Sequence, residues 1–171
     1  SDTHFNELVS LPHNNYDFKI AARRLKHYVN RAKKIFKVYH IDNVLIAITG
    51  DLINSDRRLD EMLNMSTNRS KAVFLAVDLL QQIIFDVGQD YSVSVACVTG
   101  NESRLKQDWG WSDFMASDNY DFVIFEILRH YFKTTGVQFV VDDPTEVVVN
   151  VAGQNLLLLH GNGSFTTQYE K

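Results

Sequence analysis

A chain of 171 residues, 45% hydrophobic and 12% aromatic, is long enough to bury one core and short for two, so a single domain over 1–171 is expected. A net charge of −4 excludes a whole-molecule attraction to nucleic acid or to an acidic membrane and leaves that role to local patches. Cys97 is the only cysteine, so no internal disulfide can form, and no run reaches the roughly 20 apolar residues of a membrane span; the expected setting is a reducing, cytoplasmic one without a membrane partner.

In chain order, residues 17–40 place Phe18, Ala21, Ala22, Leu25, Val29, Ala32 and Phe36 at helical spacing, with Asp17 as a cap. A second helix is predicted over 69–89, ended by Gly88, and a third over 119–136, with Gly136 at its C-terminal cap. The runs 43–49 and 92–98 lack polar alternation, the pattern of strands covered on both faces. Three short apolar runs after Gly136 read as an antiparallel meander. Strand and helix alternating, then a meander, predict an α/β layered domain with a mixed β-sheet core flanked by helices. The segment from Lys106 to Asn119, with Trp109 and Trp111, is the longest irregular piece and a candidate functional loop.

Polar residues gather where the apolar runs stop. Gly50 precedes Asp51, Gly100 precedes Asn101, and His160 ends the run 155–159. In layered α/β folds, ligands bind outside the carboxyl ends of strands, where a glycine lets the chain turn and a polar residue projects from a rigid support. Asp2 and His4, two apart, point to one side if the backbone is extended. Two carboxylates, two imidazoles and an amide oxygen form a mixed N and O donor set suited to manganese, iron, zinc or nickel.

These residues resemble the calcineurin-like metallophosphoesterases. That family carries, in order, D-x-H, G-D-x-x-[DN], G-N-H-[DE], a lone histidine after a strand, and G-H-x-H. Here Asp2-Thr3-His4, Gly50-Asp51-Leu52-Ile53-Asn54, Gly100-Asn101-Glu102 and His160 stand in that order. The resemblance implies a metallophosphoesterase-type fold and two divalent ions, manganese first. Asp2 and His4 would bind one ion, Asp51 both, and Asn101 and His160 the second. It also implies phosphoester hydrolysis, with a water acidified between the ions as nucleophile.

Two departures bear on that reading. The histidine of the third motif is absent, and Glu102 follows Asn101 directly, either replacing it or standing as the motif's acid. G-H-x-H is missing, as is the apolar strand that delivers D-x-H, so the fold is expected to be incomplete at both ends and the chain a piece of a longer one. Arg104 is placed to clamp a phosphate oxygen. Lys19, Arg23, Arg24, Lys26, Arg31, Lys33, Lys34 and Lys37 make the first helix basic, a solvated face or a stripe for a nucleic-acid backbone.

The leading expectation is a phosphodiesterase of the DNA-repair exonuclease kind, with Glu102 and Arg104 at the substrate and nucleic acid as partner. The alternatives are a phosphomonoesterase acting on a phosphoprotein or nucleotide, and a degenerate member serving as a binding scaffold.

Overall fold

The structure, a computed structural model, describes residues 2–105 and 116–161. Its element order is β1 (Val9–Leu11), β2 (Asn14–Tyr16), α1 (Phe18–Val38), β3 (Asn43–Thr49), α2 (Leu59–Leu63), α3 (Arg69–Gly88), β4 (Ser92–Val98), α4 (Tyr120–Tyr131), β5 (Gln138–Val140), β6 (Glu146–Val151) and β7 (Gln154–Leu159). The class is mixed α/β, with several sheets.

The first two long helices follow their sequence signals closely. Asp17 caps α1, its carboxylate accepting from the Ile20 amide at 2.7 Å, and Asn68 caps α3 through Lys71 N. The third helix ends earlier than predicted. It stops at Tyr131, with Phe132 as its C-cap and turns from there to Gly136, because Phe132 is 2% exposed and the chain bends to bury that ring against Phe139.

The expected single mixed sheet is corrected to separate sheets. Strands β3, β4 and β5 pair in that order and wholly parallel, with Val44 opposite Val93 and Val95 opposite Phe139. The run at 138–140 therefore leaves the expected meander, and only β6 and β7 form an antiparallel hairpin. A further hairpin, β1 with β2, lies in a stretch for which no strand is predicted.

Side-chain alternation explains the layers. Val93 and Val95 of β4, Val44, Ile46 and Ile48 of β3 and Phe139 of β5 face a core built with Ala21 and Val29 of α1, Ala76, Leu80 and Ile84 of α3, and Ile124 and Leu128 of α4. Ala96, Val98, Leu45 and Val140 face the other way and meet Val147 and Leu158 of the β6–β7 hairpin. Helices thus cover one face and a hairpin the other, correcting the expectation of helices on both. The continuous apolar runs are explained all the same, since both faces of β4 are dry; each fully buried Val, Leu or Ile contributes about 1.5–3 kcal/mol. Among the described strands β3 lies at the sheet edge, and Ala47 is exposed. No described helix is long and apolar enough to cross a membrane.

Candidate metal centre

The carboxyl ends of β3 and β4 lie side by side, and the loops leaving them interlock. A Cβ on Gly50, at φ +79°, would lie 2.3 Å from Gly100 N, and one on Gly100 would lie 2.0 Å from Asp51 Oδ1. Only two glycines permit this approach. Asp51 itself takes the left-handed conformation (φ 51°), a strained choice for a residue with a side chain.

The N-terminal segment docks on the same loop. Backbone amides of Asp2, His4 and Phe5 donate to the carbonyls of Gly50, Asp51 and Leu52. Phe5, 1% exposed, packs on Phe18, and buried Asn6 accepts from Asn54 N at 2.8 Å through Oδ1. The backbone is not extended here, as the two-residue spacing assumed. Asp2 and His4 both have positive φ, 45° and 42°, because the segment curls around the Asp51 loop.

Asp2, Asp51 and His160 come together, with one potential ligand atom from each within 4.8 Å of the others. Asn101 joins them: its Oδ1 lies 3.2 Å from His160 Nε2, and Asp51 Oδ2 lies 2.9 Å from the same nitrogen. His4 stands outside this group of three. Its charge still acts on Asp51, and its Nδ1 is buried with no hydrogen-bond partner among the described residues.

The hydrogen atoms decide what the cluster wants. His160 Nδ1 lies 2.6 Å from the Thr49 carbonyl, which can only accept, so Nδ1 donates. In the neutral ring Nε2 then carries a lone pair, and it faces a carboxylate oxygen of Asp51. It also faces Asn101 Oδ1, whose orientation is fixed because Asn101 Nδ2 donates to Glu102 Oε1 at 2.6 Å. A nitrogen lone pair facing two acceptor oxygens, at 2.9 and 3.2 Å, calls for a cation between them, either a proton or a metal ion. A donor set of imidazole nitrogen, carboxylate and amide oxygen fits a divalent transition metal. A histidine ligand whose other nitrogen donates to a backbone carbonyl is the usual arrangement for fixing the ring.

The ionisation of the two partners favours the proton in that position. The hydrogen bond to Asp51 pushes His160 up to about 9, against burial, with the Thr49 carbonyl and the charges of Asp51 and Asp2 adding to the rise. Burial works to raise the Asp51 carboxyl, yet its pKa is lowered, because hydrogen bonds from His160 and Glu102 N and the charges of His160 and His4 outweigh burial.

Glu102 and Arg104 flank the cluster differently. Glu102 accepts from Asn101, pairs with Arg57 Nη2 at 3.2 Å, and donates its amide to Asp51 Oδ1 at 2.8 Å. The Arg104 guanidinium is half-buried; burial and then Arg57 lower its pKa, while Asp51 and Glu102 oppose this. The Arg104 carbonyl accepts from Arg69, whose buried guanidinium also binds Asp56 and the Glu102 carbonyl and stacks on Tyr120.

Sequence reasoning missed Asn6, Arg69, Asn119 and Asp121. Asn119 Nδ2 donates to the Gly100 carbonyl at 2.8 Å and its Oδ1 caps α4 by accepting from Asp121 N. The Asp121 carboxyl, fully buried, has its pKa raised by burial and by Asp51, against hydrogen bonds from Gly100, Ser103 and Leu52 that favour the charge. Only the spacing Asn119-x-Asp121 at a helix start hinted at them. Residues 106–115, most of the loop proposed above as functional, lie outside the described residues. Comparison with known protein families, with characterised proteins and with solved structures yields no match.

Proposed function

We propose that this chain is a metal-dependent phosphodiesterase of the metallophosphoesterase type, acting on nucleic acid. The observation that carries the reading is the convergence of Asp51 Oδ2, Asn101 Oδ1 and the lone pair of His160 Nε2, with Asp2 beside them, from four separate stretches of chain. In it Asp51, Asn101 and His160 would hold one divalent ion, and Asp2, His4 and Asp51 would serve a second; manganese is the first choice. Bound there, such ions lower the pKa of a water and neutralise phosphate charge.

The chain's own residues supply the rest. Arg57, through its contacts with Glu102 Oε2 and the Asn101 carbonyl, presents a guanidinium at the rim for a phosphate oxygen, with Arg104 behind it. A cavity of about 260 Å³ is lined by Asp2, Glu7, Asn14 and Tyr16 and by Arg24 of α1. The exposed basic residues of α1 favour a long anionic substrate over a small monoester.

A binding scaffold remains as a second reading, favoured by one fact: a proton on His160 alone closes the cluster onto Asp51 and Asn101. Metal titration separates the two. With manganese at about 100 times its dissociation constant, linkage gives about 2.7 kcal/mol, a rise in Tm of roughly 5–10 °C for a chain of this size. The loaded protein should cleave bis(p-nitrophenyl) phosphate faster than p-nitrophenyl phosphate, and Asp51→Ala should abolish both effects. An unchanged Tm with manganese, zinc and nickel sinks the metal centre; a monoester preference sinks the diesterase.

A further inference from the structure

We infer that Asp121 is the positioning residue of this centre, its carboxylate clamping the two strand-end loops together so that Asp51 and Asn101 are held in the register from which they can share a cation. The inference rests on the metal-centre reading and adds to it a residue that contacts no ligand atom of the cluster. Asp121 stands in the first turn of α4, and its side chain is 0% exposed. Its Oδ2 accepts from Asp51 N at 2.8 Å and from Gly100 N at 2.9 Å, one oxygen bridging the β3 loop to the β4 loop. Its Oδ1 accepts from Leu52 N at 3.1 Å and from the Ser103 hydroxyl at 2.8 Å, repeating the bridge one residue further along the β3 loop and three residues further along the β4 loop.

All four donors lie on segments other than its own helix. The α4 cap is made by Asn119 instead, so the Asp121 carboxylate is not a helix cap. Its work is done on the loops. Three backbone N–H groups, and the Ser103 hydroxyl whose single hydrogen also faces the Ile53 carbonyl, point at these two oxygens, and a carboxylate accepts from all of them in so small a space. The clamp also holds Asp51 N while Asp51 is in its left-handed conformation, which is what turns that side chain toward His160. Because Gly100 packs against Asp51 with no room for a Cβ, a loosened clamp displaces both ligands together and not one of them. Asn119, bonded to the Gly100 carbonyl, holds the next peptide unit of the same loop, the one that leads into Asn101.

Asp121→Asn preserves shape but turns an NH2 group toward two donors. The variant is tested in the full chain against manganese by calorimetry, and with cobalt(II) by visible absorption, whose band positions and intensity report ligand geometry. The expected result is a 10- to 100-fold weaker manganese affinity with a changed cobalt spectrum. Ser103→Ala, which removes one donor and leaves the carboxylate, should weaken affinity about three- to tenfold and keeps the inference testable if Asp121→Asn does not fold. Val93→Ala, a core change at the far end of β4, controls for lost stability and should leave affinity and spectrum unaltered. Parental affinity and an unchanged spectrum in folded Asp121→Asn, or in Ser103→Ala should the former not fold, overturn the positioning role. If the parent itself binds neither metal, the metal-centre reading fails and takes this inference with it.

Discussion

Glu102 sits between an amide and a guanidinium. By accepting from Asn101 Nδ2 it points Asn101 Oδ1 at His160, and by pairing with Arg57 it holds that arginine at the rim. Both oxygens of its carboxylate are therefore engaged, Oε1 by Asn101 and Oε2 by Arg57. On the proposed reading its task is to orient Asn101, and the leaving group is expected to depart without its help. Glu102→Gln keeps an acceptor for Asn101 and should cost less than about tenfold in rate on a nitrophenyl diester and on an unactivated dinucleotide alike. A general acid would lose about a hundredfold or more, and chiefly on the dinucleotide with its poor leaving group. Rates of the variant on the two substrates decide between the roles. The resemblance alone left Glu102 open, because a sequence shows a missing histidine but not which neighbours a carboxylate can reach.

The elements that hold the site differ in how visible they are beforehand. Gly50 and Gly100 end apolar runs and announce strand-end turns, and the reason is physical: a Cβ at either would strike the other loop. Gly100→Ala forces overpacking against backbone, costing about 3 kcal/mol, which for a chain of this size lowers Tm by roughly 6–12 °C. Gly136→Ala is the matched control, with nothing within 4 Å and no positive φ; it should be neutral or stabilising by up to about 1 kcal/mol. Thermal melts of the two variants check this, and equal shifts would mean that the loops do not interlock. Other elements gave little advance sign. Strand β5 has three residues and is defined by Val95 and its neighbours, more than 40 positions away in sequence, so no local pattern marks it as parallel. Asp121 reads locally as an acid at a helix start, where the macrodipole welcomes one; its real partners come from loops 70 and 21 positions upstream.

On the scale of the whole molecule, charge is arranged against the average. The net charge is −4, yet Lys19, Arg23, Arg24, Lys26, Arg31, Lys34 and Lys37 are exposed along α1, while Arg24 also lines the cavity that begins at Asp2. Lys33 differs from them: it bonds Asp86 and Asp90 and ties α1 to the end of α3, so it is already neutralised and is left out of any test of the stripe. If the stripe tracks a nucleic-acid backbone, each contact releases counterions, and binding weakens linearly in log affinity against log salt, by about 0.9 per phosphate on duplex and about 0.7 on single strands. Replacing Arg23, Arg24, Lys26 and Lys34 with Gln should then reduce the magnitude of that slope by about 3 and lower affinity for a DNA oligonucleotide at every salt concentration. Arg129→Gln with Lys133→Gln removes two positive charges at and just beyond the end of α4 and controls for charge lost elsewhere on the surface; it should leave the slope unchanged. A slope indifferent to the α1 changes, or equally reduced by the α4 pair, would make the stripe an ordinary solvated face. The diesterase reading would then rest on the metal centre alone, with a short phosphodiester in place of a polymer as its substrate.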